Sequence, residues 1–210
     1  MARTATSDSF VLYLRSFAID GKLSEIDVAD LPLSGRVGNW KGVAFEASKE
    51  LSFENQLFAR LREARSDLVL VSVGRDFGQY GIGRVESSDH TWRDDVSELL
   101  TKASLIILVV GNTAGTMWEI KRVIELGLLK KTVFVAPPAA MLKGVSQLDQ
   151  LEFERDYQSA TAAIRLLGIE LPQSASGLAT YFADDGPVRF DILSKYERDT
   201  LANLIAMNQA

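Results

Sequence analysis

Glu119 is the residue of this chain best placed, by type and by context, to do chemistry. The segment Val109-Val-Gly-Asn-Thr-Ala-Gly-Thr-Met-Trp-Glu-Ile-Lys-Arg joins an apolar run to a small polar turn and then to a helical pattern. An acid therefore stands where a strand hands over to a helix, the edge at which α/β sheets bind their ligands. With Asn112 to Thr116 taken as a turn and the helix starting at Trp118, Glu119 falls in the first helical turn. There the helix dipole alone rationalises a negative charge, so a structural role competes with a functional one. Glu125, six residues and nearly two turns further on, is expected on the solvated face. Asp94 and Asp95 begin another helix; neighbours in sequence point different ways on a helix, so they read as dipole-favoured acids rather than a catalytic pair.

Two other stretches offer contacts for a ligand. Arg15 and Ser16 close the apolar run that begins at Phe10. The stretch Gly74-Arg-Asp-Phe-Gly-Gln-Tyr-Gly-Ile-Gly83 resembles a phosphate cradle, but it lacks the Lys-Ser/Thr ending of a P-loop, and Glu86 stands where a dinucleotide fingerprint has its third glycine. It reads either as a flexible loop or as a loop in direct ligand contact. His90 is the single histidine and there is no cysteine. Disulfides, thiolate metal sites and a cysteine nucleophile are excluded, and a structural zinc or a Ser-His-Asp hydrolase has almost nothing to be built from. His90 itself reads as a loop or cap residue. A net charge of −5 argues against a general nucleic-acid binder, which needs a basic face.

The elements that would position these residues alternate regularly. Apolar runs at 10–17, 67–73, 104–110 and 131–136 read as strands buried on both faces, and amphipathic stretches at 52–64, 91–102 and 118–129 as helices between them. The reading is an α/β fold with a parallel sheet built from βαβ units. Its ligand edge brings Arg15 and Ser16, the Gly74 loop and the segment from Gly111 to Glu119 to one side. Residues 18–50 carry no sustained period and read as an irregular insertion. Beyond Pro138 a long helix at 146–167 is expected to bury Leu148, Leu151, Tyr157, Ile164 and Leu167. A hairpin around Asp184-Asp-Gly-Pro and a terminal helix at 193–207 follow. Residues 1–138 are thus read as the core and 139–210 as a helix-hairpin-helix extension packed on the same domain. No apolar run reaches the roughly 18 residues of a membrane helix, and the first ten residues do not read as a secretory signal, so a cytoplasmic location is expected.

Val-Leu-Tyr-Leu-Arg-Ser-Phe-Ala-Ile-Asp at the first strand, the helix at 52–64, and Ala103-Ser-Leu-Ile-Ile-Leu-Val-Val-Gly followed by Thr-Met-Trp-Glu-Ile together resemble a TIR domain over about residues 10–138. The resemblance implies a flavodoxin-like, TIR-like sandwich. It also implies, for the enzymatic members, cleavage of the N-glycosidic bond of NAD between nicotinamide and ribose, with NAD as substrate and no cofactor or metal. By position, Glu119 would be the carboxylate beside the ribose, stabilising an oxocarbenium-like charge or attacking the anomeric carbon. Arg15, Ser16 and Phe17 would line the nucleotide pocket, Gly74 and Arg75 would touch the nucleotide, and Trp118 would shape a wall. In the usual TIR pattern the glutamate follows the tryptophan by four residues; here Arg122 stands there and Glu119 follows Trp118 directly. Gly115-Thr-Met-Trp-Glu-Ile is also similar to a segment of nucleoside deoxyribosyltransferases, whose glutamate attacks the same type of carbon. The family resemblance further implies self-association and a role as an effector or signal-maker in bacterial defence. A self-associating interaction module without catalysis, or a domain that senses a nucleotide without cleaving it, are the alternative readings.

Overall fold

The computed structural model describes residues 10–15, 53–73, 82–85, 90–136, 147–174, 178–191, 199–200 and 203–204. Among them the strands are β1 (Phe10–Leu14), β2 (Val69–Val73), β3 (Ile82–Val85), β4 (Leu105–Val109), β5 (Thr132–Val135), β6 (Leu178–Ala183) and β7 (Gly186–Asp191). The helices are α1 (Phe53–Ala64), α2 (Trp92–Lys102), α3 (Ala114–Glu125) and α4 (Gln147–Arg165). The strands form one sheet in the order β3-β2-β1-β4-β5-β6-β7. The first five are parallel, while β6 and β7 run antiparallel to their neighbours. The α/β class is as read from the sequence. The sheet, however, is mixed rather than parallel throughout, because the hairpin hydrogen-bonds along β5 and so extends the sheet itself.

The continuous apolar runs of the central strands follow from covering on both faces. Side chains alternate with period two. Leu12, Leu14, Ile106, Leu108 and Phe134 face one core with Val96 and Leu100 of α2, Ile120 and Val123 of α3, and Tyr157 and Ile164 of α4. Val11, Tyr13, Ile107, Val109, Val133 and Val135 face the other, with Leu57, Phe58 and Leu61 of α1 and with Leu204. Helices α2, α3 and α4 thus cover one face and α1 the opposite one.

Three further expectations are corrected. The end of the glycine-rich stretch is a strand: Ile82-Gly-Arg-Val85 pairs in parallel with β2, Leu70 opposite Ile82. A short run holding a glycine and an arginine carries no alternation by which to recognise it. Leu151 is 63% exposed. The buried stripe of α4 runs instead through Phe153, Tyr157, Ala160, Thr161 and Ile164, a spacing of one helical face that Leu151 does not share. The third correction, the start of α3, belongs to the site. The insertion at 18–50 and most of the stretch expected as a terminal helix lie outside the described residues; residues 199–200 and 203–204 are helical. Among the described residues no helix is long and apolar enough to cross a membrane.

At the hairpin, Asp184 and Asp185 turn the chain, and Gly186 takes a φ of 125°, a backbone conformation natural only to glycine. Lys130 pairs with Asp184, tying the loop before β5 to this turn.

Candidate functional site

Thr113 determines where α3 begins. Its backbone is extended, and its Oγ1 accepts a hydrogen bond from the Thr116 N–H at 3.2 Å, an N-cap that satisfies one of the helix's free donors. The two threonine hydroxyls lie 2.9 Å apart. The helix therefore starts at Ala114, four residues before the start expected from the sequence, and Glu119 is its sixth residue, in the second turn. Helix α3 has no acid in its first turn. The dipole effect fades within that turn, so it no longer rationalises a charge at position 119.

Burial is what the structure gives Glu119 instead. Thr116, Glu119, Ile120 and Val123 form the buried stripe of α3, the i, i+3, i+4, i+7 spacing of one helical face. Glu119 is 4% exposed, and its Oε2 has no hydrogen-bond partner among the described residues. Removal from water pushes the carboxyl up from 4.5 to about 8, so it holds its proton at neutral pH. An unmatched buried polar atom costs stability, on the order of 1–3 kcal/mol. No packing gain of the fold requires an acid here.

The strand order makes the boundary between β1 and β4 the switch point of the sheet, and α3, which carries Glu119, follows β4. β1 and β4 are parallel neighbours, with Leu14 opposite Leu108. The helix after β1 covers one face of the sheet and the helix after β4 covers the other, which parts the chain at their carboxyl ends. Half-buried Arg15 leaves β1 there, and Gly111 to Thr113 leave β4 at the same edge. Helical side chains lean toward the N-terminus of their helix, so that of Glu119 leans back toward this edge.

Helix α2 braces α3. Trp92 and Trp118 stack with centroids 4.9 Å apart and planes at 49°, and the Arg93 guanidinium lies 5.6 Å over the Trp118 ring. Arg122 donates from Nε to Ser97 Oγ at 3.1 Å and pairs with Glu125 at 3.1 Å. The position four residues after Trp118 is thus occupied by a cation that ties two helices together. Trp92 Nε1 is buried without a partner among the described residues. A Cβ added at Gly115 would meet the Trp92 ring at 3.7 and 3.8 Å, ordinary contact distances.

Of the residues expected at the site, Glu119 and Arg15 come to one edge of the sheet, while Trp118, a 100° step from Glu119 around the helix, packs on α2. Ser16, Phe17, Gly74 and Arg75 lie outside the described residues. Glu125 has a side chain 62% exposed, on the solvated face where the spacing put it. His90 is exposed. Asp94 and Asp95 stand in the first turn of α2, as expected for dipole-favoured acids. Thr113, Thr116 and Gly115 were not singled out as site residues. The signal for the threonine cap was present, a Thr immediately before Ala114 and another three residues on, but Gly115 and the polar neighbours made the stretch read as a turn.

No family model matches this chain, and no curated protein or solved structure matches it significantly.

Proposed function

We propose that this chain is a TIR-like hydrolase that cleaves the N-glycosidic bond of NAD or a related nucleotide, with Glu119 as the essential carboxylate. The observation that carries the reading is the burial of Glu119, unmatched at Oε2 among the described residues, on the helix that follows β4 at the switch point between β1 and β4. Perturbed acids in such positions are characteristic of functional sites. The flavodoxin-like arrangement of the TIR class fits the adjacency of β2, β1, β4 and β5, with β3 as an added edge strand.

The chemistry suits a carboxyl that is neutral when empty and charged when occupied. A pyridinium group entering the site brings a positive charge, which favours the ionised form of the acid. As the bond between the anomeric carbon and the ring nitrogen breaks, its electron pair passes to the ring. Nicotinamide leaves neutral, without need of an acid to protonate it. Positive charge appears on the ribose carbon, where ionised Glu119 stabilises it or adds to it. Water then supplies a hydroxyl to that carbon and releases a proton. Arg15, at the end of β1, is suited to a phosphate of the nucleotide.

Nicotinamide release by concentrated protein tests the reading. Glu119→Gln is expected to lower the rate by about 100-fold or more, the scale set by removing one charge-stabilising group from an active site. Glu125→Gln, whose side chain is exposed, is expected to leave the rate within about twofold, as for an acid outside the site. Binding of nucleotide without release would instead favour a sensing domain. Neither binding nor release, across several nucleotides, would favour an interaction module.

A further inference from the structure

Three side-chain atoms among the described residues are buried without a hydrogen-bond partner: Trp92 Nε1, Glu119 Oε2 and Thr180 Oγ1. Thr180 lies apart on β6. The other two belong to helices in contact, and they are complementary, an N–H that can only donate and a carboxyl oxygen that accepts. Helical spacing sets them on the same flank of that contact. At about 100° per residue, Gly115, Trp118 and Arg122 of α3 turn toward α2, where they meet Trp92 and Ser97. Thr116, Ile120 and Val123 turn toward the sheet, and Glu119 stands between the two sets. The opposite flank is solvated, carrying exposed Lys121 and Glu125. A Trp92 nitrogen with no exposed surface therefore belongs to the Glu119 flank. The Trp92 atoms that face Gly115 are Cη2 and Cζ2, and Cζ2 is bonded to the ring carbon that carries Nε1. Glu119, one turn further along α3, leans back toward that turn.

We infer that Trp92 is a positioning residue for Glu119, its Nε1–H donating to the carboxylate once that acid is ionised and holding it in one orientation. For the reaction this rests on the reading of Glu119 as the acid at the anomeric carbon; the pairing of the two residues does not. A hydrogen bond to a carboxylate is roughly twice as strong as one to a neutral carboxyl, so ionisation is what draws the two groups together. The charged groups on the two helices are Arg93, Asp94 and Asp95 of α2 and Lys121, Arg122 and Glu125 of α3, with Arg15 after β1 and Tyr157 on α4. The strand positions that face this core, such as Leu14 and Leu108, are apolar. Burial is the cause that raises the Glu119 carboxyl, with no part from these charges. The Thr116 hydroxyl is already engaged with Thr113, which leaves the Trp92 N–H as the unengaged buried donor among the described residues of this contact.

Nuclear magnetic resonance of the isotope-labelled indole N–H groups tests the pair, with the Trp92 signal assigned through Trp92→Phe. Its resonance is expected to move downfield with a midpoint near 8 in the wild type and to stay in place in Glu119→Gln. Trp92→Phe keeps an aromatic ring against Trp118 and removes the donor. It is expected to raise the midpoint of Glu119, followed at its carboxyl carbon, by about one pH unit, the scale of a hydrogen bond to a charged group. Nicotinamide release from NAD at neutral pH is expected to fall about tenfold in kcat with KM little changed, the loss shrinking as pH rises. Should Trp92→Phe fail to fold, the comparison of wild type with Glu119→Gln still decides, the Trp92 signal being assigned by elimination with Trp40→Phe and Trp118→Phe. A Trp92 resonance that does not titrate, or that titrates equally in Glu119→Gln, overturns the pairing. A coupled titration in a protein that does not cleave NAD upholds the pairing and rejects N-glycosidic cleavage of NAD.

Discussion

A carboxyl group in the second turn of a helix, buried with an oxygen unmatched among the described residues, makes the stability of the protein depend on pH. Folded Glu119 keeps its proton up to about pH 8, whereas the unfolded chain loses it near 4.5. Between those values folding is linked to proton uptake. The sign follows: the stability of the neutral form is full below 4.5, declines as pH rises, and is lost once pH passes the folded value. The slope is about 1.4 kcal/mol per pH unit within the window. Urea unfolding at pH 5.5 and 7.5 should therefore show Glu119→Gln gaining on the wild type by about 2–3 kcal/mol over that interval, since Gln carries no titrating proton. Parallel stabilities would mean that the carboxyl is already ionised, or equally solvated, in the folded protein. On the proposed reading NAD reverses the trend, because its pyridinium ring favours ionised Glu119 and so stabilises the protein more as pH rises.

At the scale of elements, the site depends on how α2 and α3 are held. The stack of Trp92 on Trp118 and the bond from Arg122 to Ser97 fix one helix against the other. Lys131 then secures the far end of α2. Its Nζ donates to Thr101 O at 3.0 Å and to Ala103 O at 2.7 Å, carbonyls that the helix leaves unpaired at its C-terminus. Burial pushes the Lys131 ammonium below its usual range. Lys131→Met keeps the stem and removes both bonds, and is expected to cost about 1–3 kcal/mol, read as a lower urea midpoint with an unchanged m-value. No change in midpoint would show that water replaces the ammonium without loss.

At the scale of the molecule, the hairpin of β6 and β7 decides whether β5 is an edge strand. β6 pairs with β5 from Val133 opposite Tyr181 to Val135 opposite Ala179, so removing it would bare a buried apolar strand. A chain ending at Gln173 is therefore expected to lose cooperative unfolding and to aggregate, as judged by calorimetry and light scattering. A cooperative, monomeric product would mean that the residues up to β5 and α4 fold without the hairpin. Tyr157 holds α4 to the segment that follows it, its hydroxyl donating to Pro172 O at 3.0 Å, with burial holding the phenol well above its usual range.

What could be read from the residues alone is the class of fold, because continuous apolar runs such as Leu105 to Val110 alternating with amphipathic helices admit few arrangements. Glu119 could be picked out the same way, by its place after a strand and a small polar turn. What the residues could not tell is its surroundings. Local pattern put it in a first turn, where a helix dipole makes an acid unremarkable; the Thr113 cap moved the helix start and turned the carboxyl into the core. Strand order, the brace between α2 and α3, and the hairpin's place on β5 likewise arise from contacts distant in sequence, which no local periodicity encodes. Tertiary structure decided whether the acid was solvated, because burial is a property of neighbours and not of a segment.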